Sequence, residues 1–377
     1  MQDRKVSFFG AQYSTGGAGR VCSAVGKTLA REGYDVDFLV DGTYSEDSYL
    51  EEGLPHTGRV VRLTETRCSG PGHDPRRYAE LLSTLAAYLR RQDGGVLVSN
   101  LTKFNLMSVW ASVLSGFGWG LVLVEHNLID PRITGRSCIL PWLVRTHYPF
   151  AHEVVAVSED VEKELRETYG LETDTCTTIR NPVDVEKVTS KSRREVDHDW
   201  FLDDVPVIVG VGRFVEQKQF SVLLKAFKLL TRHSDVRLVL AGKGPLKEDL
   251  HDLAVALEIE DRVDFLGFVP NPYKYMRRAS LLAVSSRYEG FGLILTEALA
   301  CGTPVVSTDC LGGPSDILND GEYGDLVDVD DPRGLAEAMA RTLSDPPDSA
   351  RLVERARHYD VGKVADRYAE VIERAMN

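Results

Sequence analysis

Along the first half of the chain, short apolar runs alternate with stretches in which apolar residues recur every three or four positions. Val6-Ser7-Phe8-Phe9 leads into a glycine-rich turn, Thr15-Gly16-Gly17-Ala18-Gly19-Arg20, and a helical pattern follows through Val21, Val25, Leu29 and Ala30. Gly33 ends that helix, and Val36 to Val40 reads as the next strand. Gly95 to Val98, Leu121 to Val124 and Val154 to Val157 have the same character. Strands this uniformly apolar suit a parallel sheet covered on both faces. The strand-helix alternation predicts right-handed crossovers.

Between Asn181-Pro182-Val183-Asp184 and Asp204 the rhythm stops, and the charged run Lys191 to Asp199 predicts a linker. It restarts with strands at Val207–Gly212, Val236–Gly242, Val263–Gly267, Leu281–Val284, Val305–Thr308 and Gly324–Val327. The predicted division is a domain over 1–184, a linker over 185–204, a second domain over 205–357 and a final helical stretch within 358–377 that packs back on the first domain or stays with the second. The predicted class is α/β, with two doubly wound parallel sheets in tandem. Such sheets bind ligands at the carboxyl ends of their strands, so a cleft between the two is the expected pocket.

Composition narrows the chemistry. A chain of 377 residues, 43% hydrophobic and 27% charged, fits two globular domains. The net charge of -13 disfavours a polynucleotide partner but not a small phosphorylated one. Six cysteines (Cys22, Cys68, Cys138, Cys176, Cys301 and Cys310) form no CxxC pair and read as reduced thiols of a cytoplasmic protein. Lys5 to Gly10 is too short for a signal-peptide core. Serines and glycines interrupt Leu106 to Val124, which argues against a membrane span while leaving work at a membrane surface open.

Glu289-Gly290-Phe291-Gly292-Leu293-Ile294-Leu295-Thr296-Glu297 follows one strand and opens a helix, with carboxylates eight positions apart. The glycines and the helix N-terminus suit phosphate oxygens, and the two acids suit sugar and ribose hydroxyls. Arg213 and Lys218, just past another strand end, suit a diphosphate, Arg as a planar fork and Lys as a point charge. Ala241-Gly242-Lys243-Gly244-Pro245 and Gly267-Phe268-Val269-Pro270 end two further strands on the same rim, where Gly242, Gly244 and Phe268 can border a nucleobase. Taken singly, each is also ordinary cap or loop chemistry.

Together these residues resemble glycosyltransferase family 4, the retaining GT-B enzymes. Glu289 and Glu297 match that family's E-x7-E motif, and Arg213 and Lys218 its cationic pair. Gly16-Gly17 and Asn181-Pro182-Val183-Asp184 also fit, and the resemblance covers nearly the whole chain. It implies that Arg213 and Lys218 neutralise a donor diphosphate and that Glu297 binds ribose hydroxyls. Glu289 with the amides of Gly290, Phe291, Gly292 and Leu293 would hold donor sugar and phosphate. Gly16 and Gly17 would meet the diphosphate or the acceptor. His126, in Glu125-His126-Asn127 at a strand end, resembles the histidine that the family places near the donor sugar. One departure stands out: the family has Gly after the motif lysine, and here Gln219 stands there, strained if the position needs a positive φ.

The resemblance implies transfer with retention of anomeric configuration. The leaving diphosphate would take the acceptor proton on the same face. Protein cations make an obligatory divalent metal unnecessary, so no cofactor is expected beyond the nucleotide-diphosphate sugar itself, with UDP leading. Asp328-Val329-Asp330 spells a DxD, but in a late acidic loop. The stretch Pro131 to His152 lacks acidic residues and mixes Arg132, Arg136 and Arg145 with Ile139, Trp142, Tyr148 and Phe150. It is expected to touch an anionic bilayer, with a glycan or polyprenyl-linked acceptor as partner. Leu311-Gly312-Gly313-Pro314 resembles glycan-assembly members of the family. The competing readings are a UDP-sugar 2-epimerase of the same fold and an inactive sugar-nucleotide-binding subunit.

Overall fold

The computed structural model describes residues 4–10, 16–41, 58–64, 75–116, 118–134 and 139–376. Within these, the side chains of Pro75, Arg132 and Thr134 are not described. Thr15, Cys68, Arg136 and Cys138, named above, lie outside the described residues.

The chain divides into two compact units, one made of Met1–Pro182 with Val361–Asn377, the other of Val183–Asp360. The first holds a seven-stranded sheet: β1 Lys5–Phe9, β2 Asp35–Val40, β3 Arg59–Arg62, β4 Val96–Asn100, β5 Gly120–Glu125, β6 Glu153–Ala156 and β7 Cys176–Thr178. Its order is β3-β2-β1-β4-β5-β6-β7, and every pairing is parallel. All five residues of β1 and of β4 are buried, as a sheet covered on both faces requires.

The second unit holds six parallel strands: β8 Val207–Val211, β9 Arg237–Ala241, β10 Val263–Gly267, β11 Leu281–Val284, β12 Val305–Thr308 and β13 Asp325–Val327. The order is β10-β9-β8-β11-β12-β13. Both sheets reverse strand order beside their first strand, between β1 and β4 and between β8 and β11. That reversal opens a crevice at the strands' carboxyl ends. Leu223, Leu224, Phe227 and Leu230 bury one face of the helix Phe220–Leu230 against Ile208, Leu238 and Leu240.

The predicted linker over 185–204 is corrected by the structure. Asp184 accepts from Lys187 N–H at 2.9 Å and caps a helix, Val185–Ser192. Beyond it, Asn271 donates to Lys191 O at 2.9 Å, and His198 Nε2 meets Asp264 at 2.8 Å. The segment is therefore part of the second unit. Only Val185, Val188 and Phe201 supply its buried apolar contacts, too few to show a period among the charges.

The helix Val361–Met376 packs on the first unit's sheet. Arg374 forms a forked ion pair with Glu153 at 2.6 and 3.0 Å, and Tyr34 OH donates to Glu373 at 3.2 Å. Gly120 allows the approach, since a Cβ there would sit 2.2 Å from Ala375 O.

Candidate active site

In the second unit, the loops after β8 and β11 flank the reversal of strand order. The chain leaves β8 through Gly212 and Arg213, makes one short turn, Glu216–Lys218, and enters the next helix at Phe220. The loop after β11 runs from Ser285 to Gly292, where a φ of 96° starts the helix Leu293–Cys301. Polar bonds lock the two loops together. Arg287 N–H donates to Gln217 O at 2.8 Å, and Gln217 Nε2 donates to Tyr288 O at 2.9 Å. Ser285 Oγ donates to the carbonyls of Lys218 and Gln219 at 2.9 and 3.0 Å.

This framework brings Lys218 Nζ to Glu289 Oε1 at 2.5 Å, and Ser286 Oγ donates to the same oxygen at 2.6 Å. Glu289 is buried, and these partners supply hydrogen bonds to its carboxylate. Arg213 is exposed and lines a cavity of about 360 Å³ with Gln217, Pro245 and Tyr288. The cationic pair thus sits on one loop, tied to the loop of Glu289. Glu297 is buried within its helix, and Tyr273 OH donates to its Oε1 at 2.9 Å.

Neighbouring glycines have a structural cause. A Cβ at Gly242 would lie 1.8 Å from Gly212 O, and one at Gly244 would lie 2.2 Å from Phe214 O. Phe214 N–H donates to Lys243 O, and Gly242 N–H to Gly267 O, so three strand-end loops form one rim. Phe268 on that rim is exposed, with Lys243 Nζ 4.9 Å from its ring centre. Gly312, at φ 101°, presses on the Glu289 loop: a Cβ there would meet Glu289 O at 1.9 Å. Gly313 does the same to Phe291 O at 2.4 Å. The Leu311-Gly312-Gly313 group therefore supports the Glu289 loop from behind.

Gln219 does adopt the left-handed conformation, with φ 45° and ψ 43°. Its Nε2 donates to Asp330 Oδ1, and Asp330 is itself left-handed at φ 63°. Arg287 reaches the same carboxylate at 3.3 and 3.4 Å. The last acid of the DxD is thus engaged by Gln219 and Arg287. No cluster of His, Cys, Asp or Glu suited to a metal ion occurs among the described residues.

Gly16, Gly17 and His126 belong to the first unit. Gly16 caps the helix Gly17–Arg31, whose first turn carries no acidic residue, and a Cβ on Gly16 would meet nothing within 4 Å. Among the described residues nothing crowds this positively polarised helix end. His126 follows β5 and is buried, and its Nε2 lies 3.0 Å from Asn100 Oδ1. Asn100 Nδ2 faces the carbonyls of Phe9 and Val98 at 3.3 Å, so Oδ1 accepts and the imidazole proton sits on Nε2. Burial pushes the His126 pKa down to about 4, so the ring is neutral near pH 7, and among the described residues its Nδ1 lone pair has no partner.

Sequence reasoning missed Ser286, Tyr273, Gln217 and Asn100. These are short-range props whose partners are set by tertiary folding, and nothing in the local pattern marks them.

This arrangement is that of a GT-B glycosyltransferase: two parallel-sheet units, one carrying an acid-cation pair at its switch point. Comparison with known proteins agrees. Residues 192–359 match the family model for glycosyl transferases group 1, and residues 15–187 match that for glycosyltransferase family 4. The chain belongs to this group 1, family 4 class of glycosyltransferases, and it is a transferase.

Among its relatives is the N-acetylgalactosamine-N,N'-diacetylbacillosaminyl-diphospho-undecaprenol 4-alpha-N-acetylgalactosaminyltransferase of Campylobacter jejuni, 32% identical over 55% of this chain and 55% of that one. The chain thus matches only about half of that relative's length. The N-acetyl-alpha-D-glucosaminyl L-malate synthase of Bacillus anthracis is 27% identical over 91% of this chain and 89% of its own. The crystal structure of Anabaena HepE with UDP and glucose shares the fold, with a TM-score of 0.79 at 20% identity, over 98% of this chain and 99% of the other.

Proposed function

We propose that this chain moves a hexose or N-acetylhexosamine from a UDP-sugar to a glycan or polyprenyl-linked acceptor, with retention of configuration and no obligatory metal. The observation that carries the reading is the pairing of half-buried Lys218 with buried Glu289, completed by Ser286 and held by four loop-to-loop hydrogen bonds at the switch point. Breaking the donor's glycosidic bond places positive charge on the sugar and negative charge on the diphosphate. Arg213 and Lys218 stabilise the leaving group, with help from the amides of Gly290 to Leu293. Glu289, already fixed by two donors, is left to accept sugar hydroxyls, and Glu297 takes the ribose. His126, neutral, contributes a lone pair and no charge to the sugar's surroundings. The phosphate-bound acceptor named for the Campylobacter relative and the UDP complex of HepE support the substrate classes.

A thermal-shift screen against UDP-, GDP- and ADP-sugars tests the donor, because a true donor stabilises its site by mass action. NMR of the product then reads the anomeric configuration. Stabilisation by none of the three, or an inverted product, defeats the proposal. Release of an epimerised sugar nucleotide without transfer assigns the chain to the epimerase reading instead.

A further inference from the structure

Eleven large hydrophobic residues are exposed among the described residues, and six of them lie together on the first unit. Trp110 (52% exposed), Val113 and Leu114 sit on the helix Thr102–Ser115. Ile139 and Trp142 (both 61%) sit on the helix Ile139–His147, and Phe150 (57%) follows on the turn Tyr148–Phe150. These three elements pack on one another, and the rings of Trp110 and His147 meet at 5.4 Å. Spacings of three and four place Trp110, Val113 and Leu114 on one stripe, and a spacing of three does the same for Ile139 and Trp142. The other five exposed hydrophobics, Leu202, Val255, Phe268, Leu311 and Met376, are spread through the rest of the chain. The six form a patch, and a solvent-facing apolar patch of this kind marks a docking surface.

Charge selects the occupant. The chain carries 57 acidic residues, yet 94–124 and 131–152 contain none. The basic side chains at this face are placed to point outward. Arg90 hooks onto Leu114 O through Nε at 3.1 Å, and Arg145 is exposed one turn beyond Trp142. Exposed indole rings on segments without acidic residues, with exposed Arg90 and Arg145 on the same elements or beside them, suit the interface of an anionic bilayer, where the ring is half in hydrocarbon and the cation meets lipid phosphate. No described helix is long and apolar enough to cross a membrane, so the contact is on the surface.

We infer that Trp110, Val113, Leu114, Ile139, Trp142 and Phe150, with Arg90 and Arg145, form one docking face for an anionic lipid bilayer. This deepens the reading of a lipid-linked acceptor. It also extends the basic stretch of 131–152 to a second helix that the sequence pattern alone did not implicate.

The test is flotation of the full chain with vesicles of phosphatidylglycerol mixed with phosphatidylcholine, against phosphatidylcholine alone. Neither donor nor acceptor is needed, so failure here leaves the sugar-transfer reading intact, and failure of the donor screen leaves this one intact. The wild type is expected to float with the anionic vesicles and release at high salt. Trp110→Ser with Trp142→Ser, and separately Arg90→Glu with Arg145→Glu, should each weaken binding by about tenfold or more. Leu202→Ser, outside the patch, should bind as the wild type does. Cooperative thermal unfolding with a midpoint near that of the wild type should persist in every variant, showing that each still folds. A wild type that stays off anionic vesicles, or variants that bind undiminished, overturns the inference. So does self-association of the wild type that the tryptophan variant abolishes without any vesicle binding, since the face then belongs to a second copy.

Discussion

The two units share a sheet architecture and differ in how they prepare a site. In the second unit the site's donors are already engaged: Lys218 and Ser286 by Glu289, and Gln219 Nε2 by Asp330. In the first unit, among the described residues, nothing crowds the helix end at Gly16, nothing partners Nδ1 of His126, and an apolar face meets solvent. A region that must recognise one charged ligand repays dense preorganisation, because donors aimed in advance cost no reorganisation at the moment of reaction. A surface that meets a bilayer or an extended acceptor needs area and little fixed geometry.

The largest effect that would break this contrast belongs to Lys218→Ala. It strands a buried carboxylate and removes a diphosphate partner, so kcat/KM for the donor should fall by roughly a hundred- to a thousandfold. Steady-state kinetics at wild-type rates would remove the assignment, and Glu297→Ala is a second probe of the same site. Next, Gly312→Ala should cost about 3 kcal/mol, because its Cβ collides with Glu289 O at a backbone angle that L-residues avoid. Thermal unfolding measures it, and an unchanged midpoint would show that the Glu289 loop is not braced there.

The third prediction concerns pH. The folded His126 pKa lies near 4, below the ordinary value of 6.5. The native state therefore binds fewer protons than the unfolded chain between these values. The stability from neutral His126 is complete above pH 6.5 and is lost as pH falls towards 4, by on the order of 3 kcal/mol. His126→Leu should flatten the unfolding free energy across that window relative to the wild type. A difference between the two proteins that does not vary with pH would place the ring in contact with solvent.

Smaller still is Asp330→Ala, which frees the Gln219 side chain from the carboxylate that holds it. A left-handed non-glycine residue costs about 1 kcal/mol, so donor KM should rise roughly fivefold. Gln219→Gly in the same chain should restore it. Smallest is EDTA, expected to leave turnover unchanged; complete loss reversed by Mg²⁺ would overturn the metal-free mechanism.

Much of the fold is legible because a parallel sheet buried on both faces draws on near-continuous apolar runs, as in Phe8–Phe9 of β1, Val96–Val98 of β4 and Leu121–Val124 of β5. The strands that escaped are the edges. Arg59–Arg62 has charged ends and Cys176–Thr178 is three residues long, and each pairs on one side only. At the site, residues in spaced motifs were readable, and so was the tension at Gln219, because a positive φ is a property of one position. Asn100 beside His126, or Tyr273 beside Glu297, was not readable. Such pairs lie 26 and 24 residues apart, and only the stacking of neighbouring strands and helices decides that they meet.

The return of the helix Val361–Met376 to the first unit sets an order of assembly. On the ribosome, the second unit is an uninterrupted span that emerges whole and can close its own core before synthesis ends. The unit that starts first must wait, with Gly120 and the helix Gly17–Arg31 uncovered on one side, for a segment made after all of its neighbour. An excised 183–360 fragment should thus fold alone, whereas a 1–182 fragment lacks a wall of its own interior and should aggregate unless the missing helix is supplied as a peptide.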